Sequence, residues 1–170
     1  MDAAYITPFV ASIQNVFGTM LQLPVEVGDP RLLKSDKASH DISGIIGMTG
    51  TLSGSVVLSL PQETADAIVA LFCGERIDAD SPDFADAIGE LVNMISGGAK
   101  ASFEGQDVSI SCPNVVIGPG HKVSRPSDIP CVVIPCTTDC GELAIEVAIR
   151  ETAPSAPADA NADASANATA

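Results

Sequence analysis

The chain has 170 residues, 46% of them hydrophobic but only 4% aromatic and none Trp, which is enough for one domain with an aliphatic core. A formal net charge of −14 speaks against nucleic acid and against an anionic membrane surface as partners, because both require a basic patch. No apolar run approaches the ~18 residues of a membrane span and no basic stretch leads into an apolar one, so a soluble cytoplasmic protein is expected.

In chain order, "TPFVASIQNVFGTML" places Phe9, Val10, Ile13, Val16, Phe17 and Met20 at helical spacing. Thr7-Pro8 is either its N-cap and first-turn pair or a kink in a helix that starts nearer Asp2. "LPVEVGDPRLLKSDK" breaks the helical pattern. "ISGIIGMTGTLSGSVVLSL" predicts an antiparallel hairpin around a Gly/Thr/Ser turn. Pro61 and Glu63 open a helix through "QETADAIVALFC", with Gly74 placed to close it. After the acidic stretch "ERIDADSPD", Ser81-Pro82-Asp83 offers a capping hydroxyl, a first-turn proline and an acid at the positive helix end. A long helix to about Phe103 or Glu104 is predicted there.

Beyond that helix the period is two. "DVSISCPNVVIG" predicts one strand or a proline-interrupted pair, and "IPCVVIPC" predicts another. "GELAIEVAIRE" alternates Leu143, Ile145, Val147 and Ile149 inward against Glu142, Glu146 and Ala148 outward, with "TTDCG" as the turn of a second hairpin. Pro113, Pro130 and Pro135 belong at edges, strand ends or bulges. Helices and strand pairs come in blocks, which gives the α+β class: a mostly antiparallel β-sheet packed against long α-helices. The domain spans residues 1–151. Residues 152–170, rich in Ala, Asp, Asn and Pro, have nothing to bury and read as a disordered tail.

Few motifs of chemistry are present. Neither a Gly-x-Gly-x-x-Gly run nor a Gly-x-x-x-x-Gly-Lys-[Ser/Thr] run occurs, so nothing cradles a nucleotide. Five cysteines, an odd number, fit reduced thiols better than a disulfide framework. Cys131, Cys136 and Cys140 contain no Cys-x-x-Cys pair, and the first two would point to opposite faces of a strand, so buried or half-buried thiols are expected in place of zinc ligands. His40 and His121 fall in predicted loops. His121, in "GPGHKVS", reads as a solvated loop histidine, and no nucleophile elbow appears. The acidic loop lacks EF-hand spacing.

What remains is one row on the long helix, in "DAIGELVNMISGGAK". At about 100° per residue, Asp86, Glu90, Asn93, Gly97 and Lys100 stay within about 80° of one another. Phe84, Ile88, Leu91, Val92, Ile95, Ala99 and Phe103 gather opposite. Polar residues opposite an apolar stripe are what any amphipathic helix shows. Two features exceed that. Asn93 is a poor helix former placed mid-helix with nothing to cap. Gly89, Gly97 and Gly98 each cost up to about 1 kcal/mol against Ala in a helix interior, and glycine on an exposed row suits the close approach of another backbone.

The same stretch resembles the phosphatase helix of the CheC/CheX/FliY family, whose pattern is Asp/Ser-x-x-x-Glu-x-x-Asn on one exposed face. Asp86, Glu90 and Asn93 match it position for position. "YITPFVASIQNVFGTML", "DISGIIGMTGTLSGSVVLSL", "VSISCPNVVIGPGH" and "GELAIEVAI" resemble the corresponding segments in the same order, covering about residues 1–150. The first helix has only Gln14-Asn15 and lacks Glu-x-x-Asn, so a single motif is present, as in the CheX branch. The resemblance implies hydrolysis of the aspartyl phosphate on a CheY-type receiver domain. In that role Asn93 positions the attacking water, Glu90 docks a receiver lysine, and Asp86, Gly97 and Lys100 extend the contact. No cofactor of its own is implied, since the receiver supplies Mg2+, and a homodimer is expected. The rival expectations are a receiver-binding module without catalysis and a flagellar-switch-associated scaffold of the same fold.

Overall fold

Phe9, Ile13 and Val16 recur every three or four residues, and all three are buried on one face of the first helix, α1 (Thr7–Val16). In the computed structural model, which describes residues 3–33, 38–126 and 128–152, Ile6 takes the N-cap position without a side-chain bond. Thr7 and Pro8 are already helical, where the fixed φ of proline suits the first turn. The pair is therefore neither a cap nor a kink. Past Val16 a π-helical turn, Phe17–Leu21, ends at Gln22 with φ 52°. The wider turn shifts the phase of the helix, which leaves Met20 51% exposed, although its spacing predicts a core position.

The strands are β1 (Glu26–Val27), β2 (Arg31–Leu32), β3 (Ile42–Gly50), β4 (Leu52–Leu60), β5 (Val108–Ile110), β6 (Asn114–Ile117), β7 (Val132–Thr138) and β8 (Gly141–Glu151). Helix α2 (Gln62–Cys73) follows β4, and helix α3 (Pro82–Ala101) precedes β5. The strand order is β1-β7-β8-β4-β3-β5, with β2 also on β7 and β6 also on β3. Every pair is antiparallel, so the α+β reading and both hairpins hold. Pro113 divides β5 from β6, and the two pieces pair with Met48–Gly50 and Ile42–Ile45 of β3. Pro135 sits inside β7, opposite the break between β1 and β2, where its carbonyl accepts from Gly28 N at 2.8 Å. A residue without an N–H fits a strand only at such an interrupted edge.

Strand alternation gives the sheet two faces. On the first, Ile42, Ile46 and Met48 of β3, Leu52, Val56, Leu58 and Leu60 of β4, and Leu143, Ile145, Val147 and Ile149 of β8 meet the buried stripes of the helices in one aliphatic core. Each such side chain contributes roughly 1.5–3 kcal/mol when fully buried. Helix α3 lies down on β3 at Gly44, where an added Cβ would stand 3.1 Å from Val92 Cγ1 and 3.2 Å from Ile88 Cγ2.

The second face departs from expectation. Glu146 is 0% exposed and Ala148 1% exposed, although the alternation of β8 places them outward. They do point away from the helices, but Ser39 and the loop between β6 and β7 close over them. The Glu146 carboxylate pairs with Arg125 and accepts from Ser39 N at 3.1 Å and from the Ser39 hydroxyl. His121 is half-buried instead of solvated: its ring nitrogens lie 2.8 Å from Gly118 O and 2.8 Å from Ser43 Oγ. His40 N likewise donates to Ser59 Oγ at 3.0 Å. Thr152 is the last described residue, its N–H donating to Thr51 O at 2.9 Å. The tail expected over 152–170 otherwise lies outside the described residues.

Candidate functional site

The candidate residues lie on α3. Ser81 has extended backbone, its Oγ accepts from Asp83 N at 3.3 Å, and Pro82 opens the helix. The start follows the predicted capping signal, and the helix ends at Ala101, two or three residues short of the expected limit. Lys100 in the last turn complements the negative helix end.

Helical periodicity then sorts the side chains. Phe84, Ile88, Leu91, Val92, Ile95 and Ala99 are buried, while Asp86, Glu90 and Lys100 are exposed and Asn93 and Gly97 are half-buried. The helix is unbroken, so the five predicted residues share one face. Among the described residues, the side chains of Asp86, Glu90, Asn93 and Lys100 make no hydrogen bond or ion pair. Four polar groups of three kinds (two carboxylates, a carboxamide, an ammonium) therefore face outward unused. A carboxamide in that state can hold a water with its N–H and an anionic oxygen with the same group, or accept from a water through its carbonyl.

The three glycines do not share one explanation. Gly89 is buried, and an added Cβ would meet Pro113 Cγ at 3.2 Å. Gly98 abuts α1, where a Cβ would stand 2.3 Å from Ser12 Oγ. Both are small because this chain packs against them, which corrects the reading that they serve a second protein. Gly97 alone has nothing within 4 Å. At Gly89, two turns back along the helix, runs a surface groove lined by Ala85, Asp86, Gly89, Glu90, Pro113 and Val115. Its apolar wall is formed by Pro113 and by Val115 of β6, two residues that sequence reasoning did not attach to the site. Their only signal was the glycine at position 89, on the flank of the row.

Other candidates lie elsewhere. His40 and His121 bond serines on the second face of the sheet, across the strands from α3. Cys136 belongs to the helix-side core and Cys131 to the second face, as their opposite orientation in a strand requires. Burial pushes both thiols up to about 11, so neither is a thiolate near neutral pH. Cys140 is also raised, by burial and by the charge of Asp139. Among the described residues no group of three or more His, Cys, Asp or Glu is placed to hold a metal, and no helix is long and apolar enough to cross a membrane.

Comparison with known proteins bears on this helix. The family model described as chemotaxis phosphatase CheX matches residues 42–137, from the start of β3 through α3 to the end of β7. The CheY-P phosphatase CheX of Thermotoga maritima is 30% identical over 126 residues, covering 72% of this chain and 81% of that protein. A crystal structure of the chemotaxis protein CheX from Desulfovibrio desulfuricans is similar with a TM-score of 0.79 at 33% identity, over 87% of this chain and 99% of that one. CheX in the CheX–CheY–BeF3–Mg2+ complex of Borrelia burgdorferi gives 0.72 at 25% identity, over 86% and 98%. On this family match and these likenesses, over an antiparallel sheet packed against helices, the chain belongs to the CheX family of chemotaxis phosphatases.

Proposed function

We propose that this chain dephosphorylates the aspartyl phosphate of a CheY-type receiver domain. The observation that carries the reading is the pair Glu90 and Asn93, one helical turn apart on an open face and without side-chain partners among the described residues. The relative from Thermotoga maritima is a CheY-P phosphatase, and the Borrelia burgdorferi relative was solved together with CheY.

In this reading the receiver docks on α3 and Asn93 enters its phosphorylation site. The Asn93 carboxamide orients a water for in-line attack on phosphorus. The bond from phosphorus to the aspartyl oxygen breaks, inorganic phosphate leaves with the water's oxygen, and the receiver's aspartate is restored as a carboxylate. Phosphoryl transfer depends mainly on positioning and charge stabilisation, so one carboxamide added to a site that already exists is sufficient. A hundredfold acceleration corresponds to about 2.7 kcal/mol. Glu90 pairs with a receiver lysine and fixes the register. Asp86, Gly97 and Lys100 extend the contact. The divalent ion comes with the receiver, since this row offers two carboxylates and an amide without a converging ligand set. The function resides in residues 1–151, and 152–170 takes no part.

The edge strand β6 adds a second element to the reading. Its Val116 and Ile117 are 37% and 39% exposed, and beyond β3 no described strand pairs with it. Such an edge invites pairing, and a second copy around a two-fold axis would cover it. Sedimentation at tens of micromolar is expected to give a particle of twice the 17.3 kDa chain mass; a monomer would remove this part of the reading.

The central test mixes the protein with a phosphorylated receiver and follows phosphate release. The wild type is expected to accelerate it, and Asn93→Ala to return it to the receiver's own rate, a loss of about hundredfold, with an unchanged melting temperature. Near-wild-type turnover by Asn93→Ala would show the water-positioning role to be wrong.

A further inference from the structure

Two of the glycines on α3 mark places where the rest of the chain presses on the helix. At Gly89 the pressure comes from Pro113 and Val115, at 3.2 Å and 3.6 Å from the position of an added Cβ. At Gly98 it comes from Ser12, whose Oγ would stand at 2.3 Å and whose Cβ at 3.3 Å. Ser12 is 6% exposed, and its hydroxyl donates to Ile95 O at 2.7 Å, so the crossing of α1 on α3 is directional as well as steric. Nine residues separate the two glycines, which at about 100° per residue is half a turn. They are pressed from opposite flanks of the helix, and Glu90 and Asn93 lie between them.

The aliphatic stripe seats α3 on the sheet at Gly44, and contacts on the flanks of the helix add to its resistance to rolling about its axis. At the ~5–6 Å radius of a helix surface, a roll of about 20° carries a side-chain group about 2 Å. A misplacement of about 1 Å can lower a rate by about hundredfold. Contacts on both flanks oppose a roll in either direction. We infer that Gly89–Pro113 and Gly98–Ser12 form a two-point clamp on the rotation of α3, and that Ser12 and Pro113 are positioning residues that aim the Asn93 carboxamide. The catalytic consequence rests on the phosphatase reading, whereas the clamp does not.

The test uses the full chain and two readouts. Gly98→Ala forces a choice: the Ser12 hydroxyl swings off Ile95, or the helices part. Either outcome releases one flank. Adding Ser12→Ala removes the colliding oxygen, leaving a Cβ contact at 3.3 Å that small shifts absorb. The first readout is the Asn93 side-chain amide resonance of 15N-labelled protein, assigned by its loss in Asn93→Ala. It is expected to move in Gly98→Ala and in Gly89→Ala, and to return toward its wild-type position in the Gly98→Ala/Ser12→Ala pair. The second readout is receiver dephosphorylation, with kcat expected to fall about tenfold in Gly98→Ala, KM to stay near wild type, and the pair to recover most of the loss. A merely structural crossing would lower the melting temperature without this kcat-only pattern or its rescue. Where Gly98→Ala does not fold, Ser12→Ala alone, which loses only the Ile95 bond, is expected to shift the resonance and lower kcat severalfold. An Asn93 resonance that stays in place in these variants overturns the clamp, whatever the enzyme assay gives. A wild type without activity overturns the phosphatase reading and leaves the resonance to decide on the clamp.

Discussion

The outward row of α3 and the loop-covered second face of the sheet both gather polar side chains, yet the fold treats them in opposite ways. Under the loop, Glu146, Arg125, Ser39, Ser43, Ser59 and His121 are joined to one another or to backbone. On α3, Asp86, Glu90, Asn93 and Lys100 are joined to nothing else described in the chain. Polarity alone therefore does not separate the two regions; what separates them is that the α3 groups are turned outward with their bonding capacity open to another molecule. Residues whose partners lie within the chain should govern stability, and residues without partners should govern what the protein does to another molecule.

The largest effect that would break this contrast belongs to the covered face. Arg125→Ala leaves Glu146, 0% exposed, as a buried carboxylate without its cation, and removing one member of a buried pair typically costs about 3–5 kcal/mol. Denaturant melts are expected to show a loss of that order, while turnover per folded molecule stays at the wild-type value, since the pair lies across the sheet from α3. An Arg125→Ala protein of normal stability would mean that the ion pair is not what holds the loop down.

A charge on the open row should behave in the reverse manner. Glu90 is exposed and has no partner among the described residues, so Glu90→Lys is expected to leave melting unchanged and to raise KM for the receiver about tenfold, equivalent to about 1.4 kcal/mol. Little change in kcat is expected. The penalty should shrink as salt is added, because rim charges act through screened fields. A fall in kcat at unchanged KM would move Glu90 from docking into the chemistry.

The same contrast explains what could be read in advance. The stripe of Phe84, Ile88, Leu91, Val92, Ile95 and Ala99 and the cap at Ser81 are local periodicities, so α3 and its outward row were legible from the sequence. The hairpins were legible for the same reason. Glu146 was not: alternation tells which side of a strand a residue faces, but not whether a loop some twenty residues away in sequence covers that side. The π-helical turn that exposes Met20 contains Gly18 and Thr19, weak helix formers that do not by themselves specify a wider turn. Gly89 and Gly98 were misassigned because a glycine's neighbour across the fold, Pro113 in one case and Ser12 in the other, is set by tertiary contact. At Gly97 no neighbour lies within 4 Å of an added Cβ, so tertiary contact does not account for that glycine.

That glycine gives the smallest and most discriminating prediction. It lies in the interior of α3, half-buried, four residues beyond Asn93, and a Cβ there would meet nothing within 4 Å. In a helix interior Ala is favoured over Gly by roughly 0.5–1 kcal/mol, so Gly97→Ala should stabilise the isolated protein. For a domain of this length the gain appears as about 1–4 °C in Tm. If the receiver's backbone passes over this position, the same methyl group stands in its way, and KM for the receiver should rise while Tm rises with it. Gly98→Ala provides the control, since it adds the same methyl one residue away, against Ser12, and should lower Tm. A Gly97→Ala protein with higher Tm and unchanged KM would remove Gly97 from the contact and confine the docking face to Asp86, Glu90, Asn93 and Lys100.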